Sequence, residues 1–332
     1  MQAAAIRVLG MKFARIFLAL NAVVIASLSG SIAASQQVTP TRPVPVTSQL
    51  VIIDTDIGDD IDDAFAVGLA LKSPELRILG VTTTFGDTEM RARILDRYLA
   101  AVGRSDIPVA AGPSSKTDNV MSQAAYARQA PQRKHVDGAD FILKQIRLNP
   151  GKITLIAIGP LFTVQAAIER DPATFKKLER VVIMGGSVYR GYGMDSAGKP
   201  KPAEPEWNID RNPAGARALL GAGVPVFMMP LDSTQLKLDE YKRAVLFHAG
   251  TPLTDALILL YHEWGEQTPT LYDPMTIAFI VHPQLCPVKP LRIRVDDQGF
   301  TRPETGSPNA QVCLHSDSEA FFRFYIPQVT GE

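Results

Sequence analysis

From Leu50 onward, short runs of consecutive apolar residues alternate with longer stretches in which apolar positions recur every three or four residues. The short runs at Leu50–Ile53, Ile78–Thr83, Val109–Ala111, Ile153–Ile158, Val181–Met184 and Val224–Met229 predict buried parallel strands, because a strand with one wet face would alternate instead. The longer stretches at Asp62–Lys72, Thr88–Val102, Ala139–Leu148, Leu161–Arg170 and Pro213–Leu220 predict amphipathic helices between them. Strand, helix, strand at this spacing is the right-handed crossover unit, and its repetition predicts an α/β fold: an open, doubly wound, mostly parallel sheet flanked by helices, with a Rossmann-like core. The stretch from Leu236 to Ile280 reads as mostly helical, and Val288–Val295 as a further strand. No internal repeat and no second composition regime interrupts the pattern, so residues 50–332 are expected to form a single domain.

The beginning of the chain follows a different rule. Arg7, Lys12 and Arg15 precede an apolar run from Ile16 to Leu28 and small residues up to Ser35, with no acid among them. Residues 1–35 therefore read as a secretory signal peptide cleaved near Ala33 to Ser35. The run contains Asn21 and Ser27 and falls short of the roughly 20 apolar residues of a membrane span. A secreted or periplasmic protein with no stable membrane anchor after cleavage is expected, joined to its leader by a linker at 36–49 that holds three prolines.

Composition narrows the chemistry. The 332 residues include 34 Lys and Arg against 34 Asp and Glu, which gives no electrostatic reason to expect nucleic acid as a partner and favours a small-molecule one. The only two cysteines, Cys286 and Cys313, either pair in an oxidising compartment or are two unrelated buried thiols. With no CxxC, zinc and thiol redox chemistry have little support.

Charge distribution says more than net charge. Six aspartates, Asp54, Asp56, Asp59, Asp60, Asp62 and Asp63, fall within ten residues directly after the first predicted strand, with no Lys or Arg among them. Crowded carboxylates raise one another's pKa or require a cation, and hard divalent ions take carboxylate oxygens. An EF-hand loop counted from Asp54 fails, since its fifth residue is Gly58 and its twelfth Phe65. A Mg²⁺-dependent phosphohydrolase with Asp54 as nucleophile also begins Asp-x-Asp after an apolar strand, but Gly58 stands where such enzymes usually carry Thr or Val.

Asp54-Thr-Asp56-Ile-Gly58, continued by Asp62-Asp63-Ala64, resembles the N-terminal signature of the calcium-dependent nucleoside hydrolases, the inosine-uridine-preferring family. Gly80-Val-Thr-Thr-Thr-Phe-Gly-Asp87, Ala157-Ile-Gly-Pro-Leu161, Met184-Gly-Gly, Glu206-Trp-Asn208, Pro230-Leu-Asp232 and Asp273-Pro-Met follow in family order. The resemblance implies hydrolysis of the N-glycosidic bond of ribonucleosides to ribose and free base, with a water on Ca²⁺ as nucleophile. It implies calcium ligands at Asp56, Asp63, Asp273 and the Ile158 carbonyl, and Asp56 as general base. It further implies that Asp62, Glu206 and Asn208 hold the ribose, that Met184 packs near the sugar, and that the chain assembles as a dimer or tetramer.

The chain departs from the pattern at several places. Asp87 stands where the family often has Asn and becomes a candidate substrate contact with added charge; Ile158 replaces a usual Thr, to which a carbonyl ligand is indifferent. Tyr272 stands where many members have the His that protonates the leaving base, making Tyr272 or the nearby His262 the candidate acid. The segment from Ser187 to Pro205, with Tyr189 and Tyr192, reads either as a mobile aromatic cover for the base or as a plain variable loop. Asp232 is expected only to cap a helix. If the changes at Asp87 and Tyr272 abolish turnover, an exported nucleoside-binding protein without catalysis is the alternative.

Overall fold

The apolar runs stand side by side in one sheet. The computed structural model describes residues 48–130 and 132–331, so the expected leader and all but the end of the linker lie outside the described residues. The strands are β1 (Gln49–Thr55), β2 (Leu76–Thr83), β3 (Val109–Ala111), β4 (Val136–Asp137), β5 (Ile153–Ala157), β6 (Arg180–Met184), β7 (Val226–Met229), β8 (Val288–Val295), β9 (Thr301–Glu304) and β10 (Ala310–Cys313). Their order across the sheet is β4-β3-β2-β1-β5-β6-β7-β10-β8-β9. Pairing is parallel from β4 through β10, and antiparallel only where β8 joins β10 and β9.

The chain winds one way from β1 to β4 and the other way from β5 to β7. The reversal lies between β1 and β5, which pair in register with Ile53 opposite Ile156 and Asp54 opposite Ala157. Both strands run in the same direction, so the loops that follow them leave from adjacent carboxyl ends, where open α/β sheets bind ligands.

The central strands β1, β5 and β6 feed a hydrophobic core on either face, which is why their sequences are apolar without alternation. Val51 and Ile53 of β1, Ile156 of β5, and Val182 and Met184 of β6 pack in one core. Ile52, Leu155 and Ala157, with Val181 and Ile183, pack in the other. Burying each such Ile or Leu side chain stabilises the fold by about 1.5–3 kcal/mol. The helix Asp62–Leu71 belongs to the first face and the helix Gly138–Leu148 to the second.

Past Val295 the structure adds elements the pattern did not announce. β10 lies parallel to β7, and the helix Ser318–Thr330 packs Phe321, Phe322 and Tyr325 into the first core. β10 is only four residues long, and β9 is exposed and polar apart from Thr301, so neither has a hydrophobic period to read. Cys286 and Cys313 form a disulfide with Cα atoms 5.6 Å apart, which decides for pairing between the alternatives left open. Among the described residues, no helix is long and apolar enough to cross a membrane.

Candidate active site

The segment after β1 cannot continue as a strand. Gly58 takes φ +128°, a conformation closed to most side chains, and turns the chain towards the helix that starts at Asp62. The turn and the helix start bring Asp56, Asp60, Asp62 and Asp63 to one cavity of about 350 Å³. Asp273 enters from the start of the Pro274–Val281 helix, Ile158 from the end of β5 and Met184 from the end of β6. Glu206 and Asn208 come from the start of the Trp207–Arg211 helix, and Tyr272 stands beside Asp273. Gly159 permits the close approach of β5's loop, since a Cβ there would lie 2.6 Å from Asp56 Oδ1.

Carboxylate oxygens of Asp62, Asp63 and Asp273 lie within 4.8 Å of one another, and all three residues are buried. Burial first, and then mutual repulsion with neighbouring aspartates, pushes the pKa of each well above the usual carboxylate range. Burial also raises Asp56 to about 7, with the Arg91 charge opposing and Asp59 and Asp60 reinforcing the shift. Such a group is costly in isolation and is relieved by a cation. The donors are all oxygens, with no sulfur or imidazole, so the cluster suits a hard divalent ion. Two of the three are already oriented: Thr55 Oγ1 donates to Asp63 Oδ1, and the Asp273 N–H donates to Asp62 Oδ2 at 3.2 Å.

The sugar-side candidates are equally fixed. Glu206 caps its helix, accepting from Asn208 N at 2.9 Å, Ile209 N at 3.2 Å and Gly186 N at 2.8 Å. Burial outweighs these hydrogen bonds and holds its pKa at about 7. Asn208 Nδ2 donates to the carbonyls of Met184 at 3.1 Å and Ile158 at 3.3 Å.

Asp87 stands apart from this group. It is exposed, lines an adjoining cleft with Asp59 and Asn119, and accepts from Met90 N at 3.0 Å as the cap of the Thr88–Ala101 helix. His262 is exposed on the Pro252–Trp264 helix against Tyr261 and does not line the cavity, whereas Tyr272 does. Asp54 is fully buried behind the site, accepts from Thr82 Oγ1 at 2.6 Å, and does not line the cavity, so it offers no nucleophile to a phosphate there.

Several residues of the site were not singled out from sequence. Arg91, 1% exposed, donates to Asp59 at 2.7 Å, to the carbonyls of Phe85 at 2.7 Å and Ile57 at 3.0 Å, and to that of Asp56. The acidic turn thus has a buried counter-charge supplied by the helix after β2. Phe85 adopts φ +63°, unusual for a bulky side chain, and its ring meets Trp207 edge-on at 6.0 Å. Asn119 lines the cavity from the segment after β3; its position beyond a strand's carboxyl end was the available signal.

The Ser187–Pro205 segment, read as either an aromatic cover or a plain variable loop, is held by side chains from elsewhere in the fold. Asp232 accepts from Val188 N and Tyr189 N, both at 2.9 Å, and Gln235 and Glu204 bind the backbone of residues 191 to 193. Tyr189 points to solvent, while Tyr192 lines the cavity.

A parallel sheet with an acidic, aromatic-walled cavity at its switch point defines an α/β enzyme acting on a small molecule. The family model for inosine-uridine preferring nucleoside hydrolases matches residues 51–323, and the chain belongs to that family as a hydrolase of nucleoside N-glycosyl bonds. It is 30% identical to uridine nucleosidase 1 of Arabidopsis thaliana over 274 residues, covering 75% of this chain and 79% of that one. It is also 30% identical to the pyrimidine-specific ribonucleoside hydrolase RihA of Citrobacter koseri over 308 residues, covering 82% and 95%. A solved plant nucleoside hydrolase, PpNRh1, superposes with a TM-score of 0.74 at 25% identity, covering 86% of this chain and 99% of that one.

Proposed function

We propose that the protein cleaves ribonucleosides to ribose and free base with calcium in the carboxylate cluster, as an exported dimer or tetramer acting outside the cytoplasm. The observation that carries the calcium assignment is the all-oxygen group of Asp62, Asp63 and Asp273, with Asp56 and Ile158 in the same cavity. Calcium, when bound there, supplies a Lewis acid that lowers the pKa of water and takes hydroxyl oxygens. Asp56, Asp63, Asp273 and the Ile158 carbonyl are the ligands in this reading, and Asp62, clustered with Asp63 and Asp273, is taken as a ribose contact beside them.

The remaining steps belong to the chain's own groups. Asp56 takes the proton of the attacking water, while Asp62, Glu206 and Asn208 grip ribose hydroxyls and Met184 packs against the ring. The surrounding acids favour the positive charge that develops on the sugar as the C1′–N bond stretches. Tyr272 lines the same cavity, and burial, then repulsion from Asp62, keeps its phenol protonated as a hydrogen-bond donor that orients the bound base. Asp87, committed to its helix, adjusts the adjoining cleft without touching the reacting atoms. Two relatives are named for uridine or pyrimidine ribonucleosides, which makes uridine the first substrate to offer.

The test is a panel of ribonucleosides and matching 2′-deoxyribonucleosides, with free base followed by chromatography. Base release from ribosides, with little from deoxyribosides, is expected. Equal rates on both series would overturn the assignment of Asp62, Glu206 and Asn208 to ribose hydroxyls.

A further inference from the structure

Tyr192 reaches the cavity from the tied-down loop and stands with Tyr272 and Trp207 on its wall. Its ring meets that of Tyr272 edge-on, with centroids 6.0 Å apart and planes at 83°. Its phenolic oxygen accepts the backbone N–H of Trp207 at 3.0 Å. A phenol has one hydrogen to give as well as lone pairs to receive, and among the described residues no acceptor takes that hydrogen. Accepting an N–H polarises the O–H and strengthens it as a donor. Burial, and then the nearby Glu206 charge, pushes the phenol's pKa up, so it stays protonated.

The residues around Tyr192 fix it from both sides. Gln235 Nε2 donates to the Gly191 carbonyl at 3.1 Å, and Gln235 Oε1 accepts from Gly193 N at 2.6 Å, so one amide spans the neighbours of Tyr192. Gln235 is itself held by the Leu231 carbonyl at 2.8 Å, and the Tyr192 N–H is taken by Glu204 at 2.7 Å. Gln235 does not line the cavity.

Building on the ribohydrolase reading, we propose that Tyr192 is a catalytic residue for the leaving group, its O–H donating to the departing base, and that Gln235 is the positioning residue that aims it. The C1′–N bond breaks with its electron pair passing to the base, and the water oxygen bonds to C1′. The water's proton goes to Asp56; the base gains one from the Tyr192 O–H, and as product leaves Asp56 releases its proton to solvent while Tyr192 regains one from solvent. The sum is one water added across C1′–N.

The test compares uridine with p-nitrophenyl β-D-ribofuranoside, whose phenolate departs without a donor, in the full chain with calcium. Tyr192→Phe is expected to lower kcat on uridine by about 10²-fold while leaving the aryl riboside within about threefold. Gln235→Leu should show the same split between substrates with a smaller drop on uridine, and both variants should melt cooperatively. Equal losses on the two substrates, or no loss on uridine, would overturn the assignment. Wild-type protein that cleaves neither substrate would instead overturn the ribohydrolase reading, and a wild type active on both separates the two failures.

Discussion

Asp56 is held near neutrality by two opposed influences. Burial raises its pKa to about 7, and the Arg91 guanidinium on its own carbonyl limits the rise. A divalent cation in the same cavity would lower it further, leaving an ionised oxygen to accept a proton. Asp56→Asn should therefore lower kcat by about 10²–10⁴-fold with melting little changed, and near-native kcat would remove Asp56 as the base. Asp54, two residues earlier, shows the same burial without access to the cavity, and its pKa is raised to about 8. In the unfolded chain that carboxyl titrates at about 3.9, so between these values the folded state holds a proton the unfolded state has lost. Its contribution to stability is complete below the lower value and disappears as pH rises through about 8. In metal-stripped protein, melting temperature should rise as pH falls from about 8 to about 5, and Asp54→Asn should flatten that rise; an unchanged slope would contradict it. At this scale the run of acids after β1 was legible because it is contiguous in sequence, whereas Glu206-Trp207-Asn208 was singled out only through the family resemblance. Arg91 was not, because the partner that justifies burying it, Asp59, lies 32 residues away.

The elements show where a local reading stops. Asp232 follows Pro230 and reads as a helix cap, yet its carboxylate serves the backbone of residues 188 and 189, 44 and 43 positions earlier. The Ser187–Pro205 segment likewise reads as either a cover or a plain loop because its glycines and polar residues carry no period; its anchors are Asp232, Gln235 and Glu204, whose contacts no periodicity reports. Asp87 is the converse case. The resemblance assigned it to substrate, and the structure gives its side chain a cap that any Ser, Thr, Asp or Asn could provide. Asp87→Ala should cost about 1 kcal/mol in denaturant unfolding, and Asp87→Asn should retain most of that stability. A loss in Asp87→Asn as large as in Asp87→Ala would show that the charge, and not the cap, is what matters.

Across the whole molecule the sheet's order explains why distant segments share one cavity. β1 and β5 diverge at the switch point, so Asp56 and Ile158 meet there, and β6 delivers Met184 beside them. The parallel core and β8 were legible as apolar runs; β9 and β10 were not, because short or half-exposed strands leave weak patterns and the disulfide near them has no local signature. In the proposed function, glycosidic cleavage depends on a divalent metal held by the buried aspartates. Free uracil released from uridine, followed with protein stripped by chelator and then titrated with calcium, reads out that dependence. Activity should vanish on stripping and return with calcium in wild type, and should fail to return in Asp273→Asn. Full activity in thoroughly stripped protein would exclude metal-dependent cleavage at these aspartates.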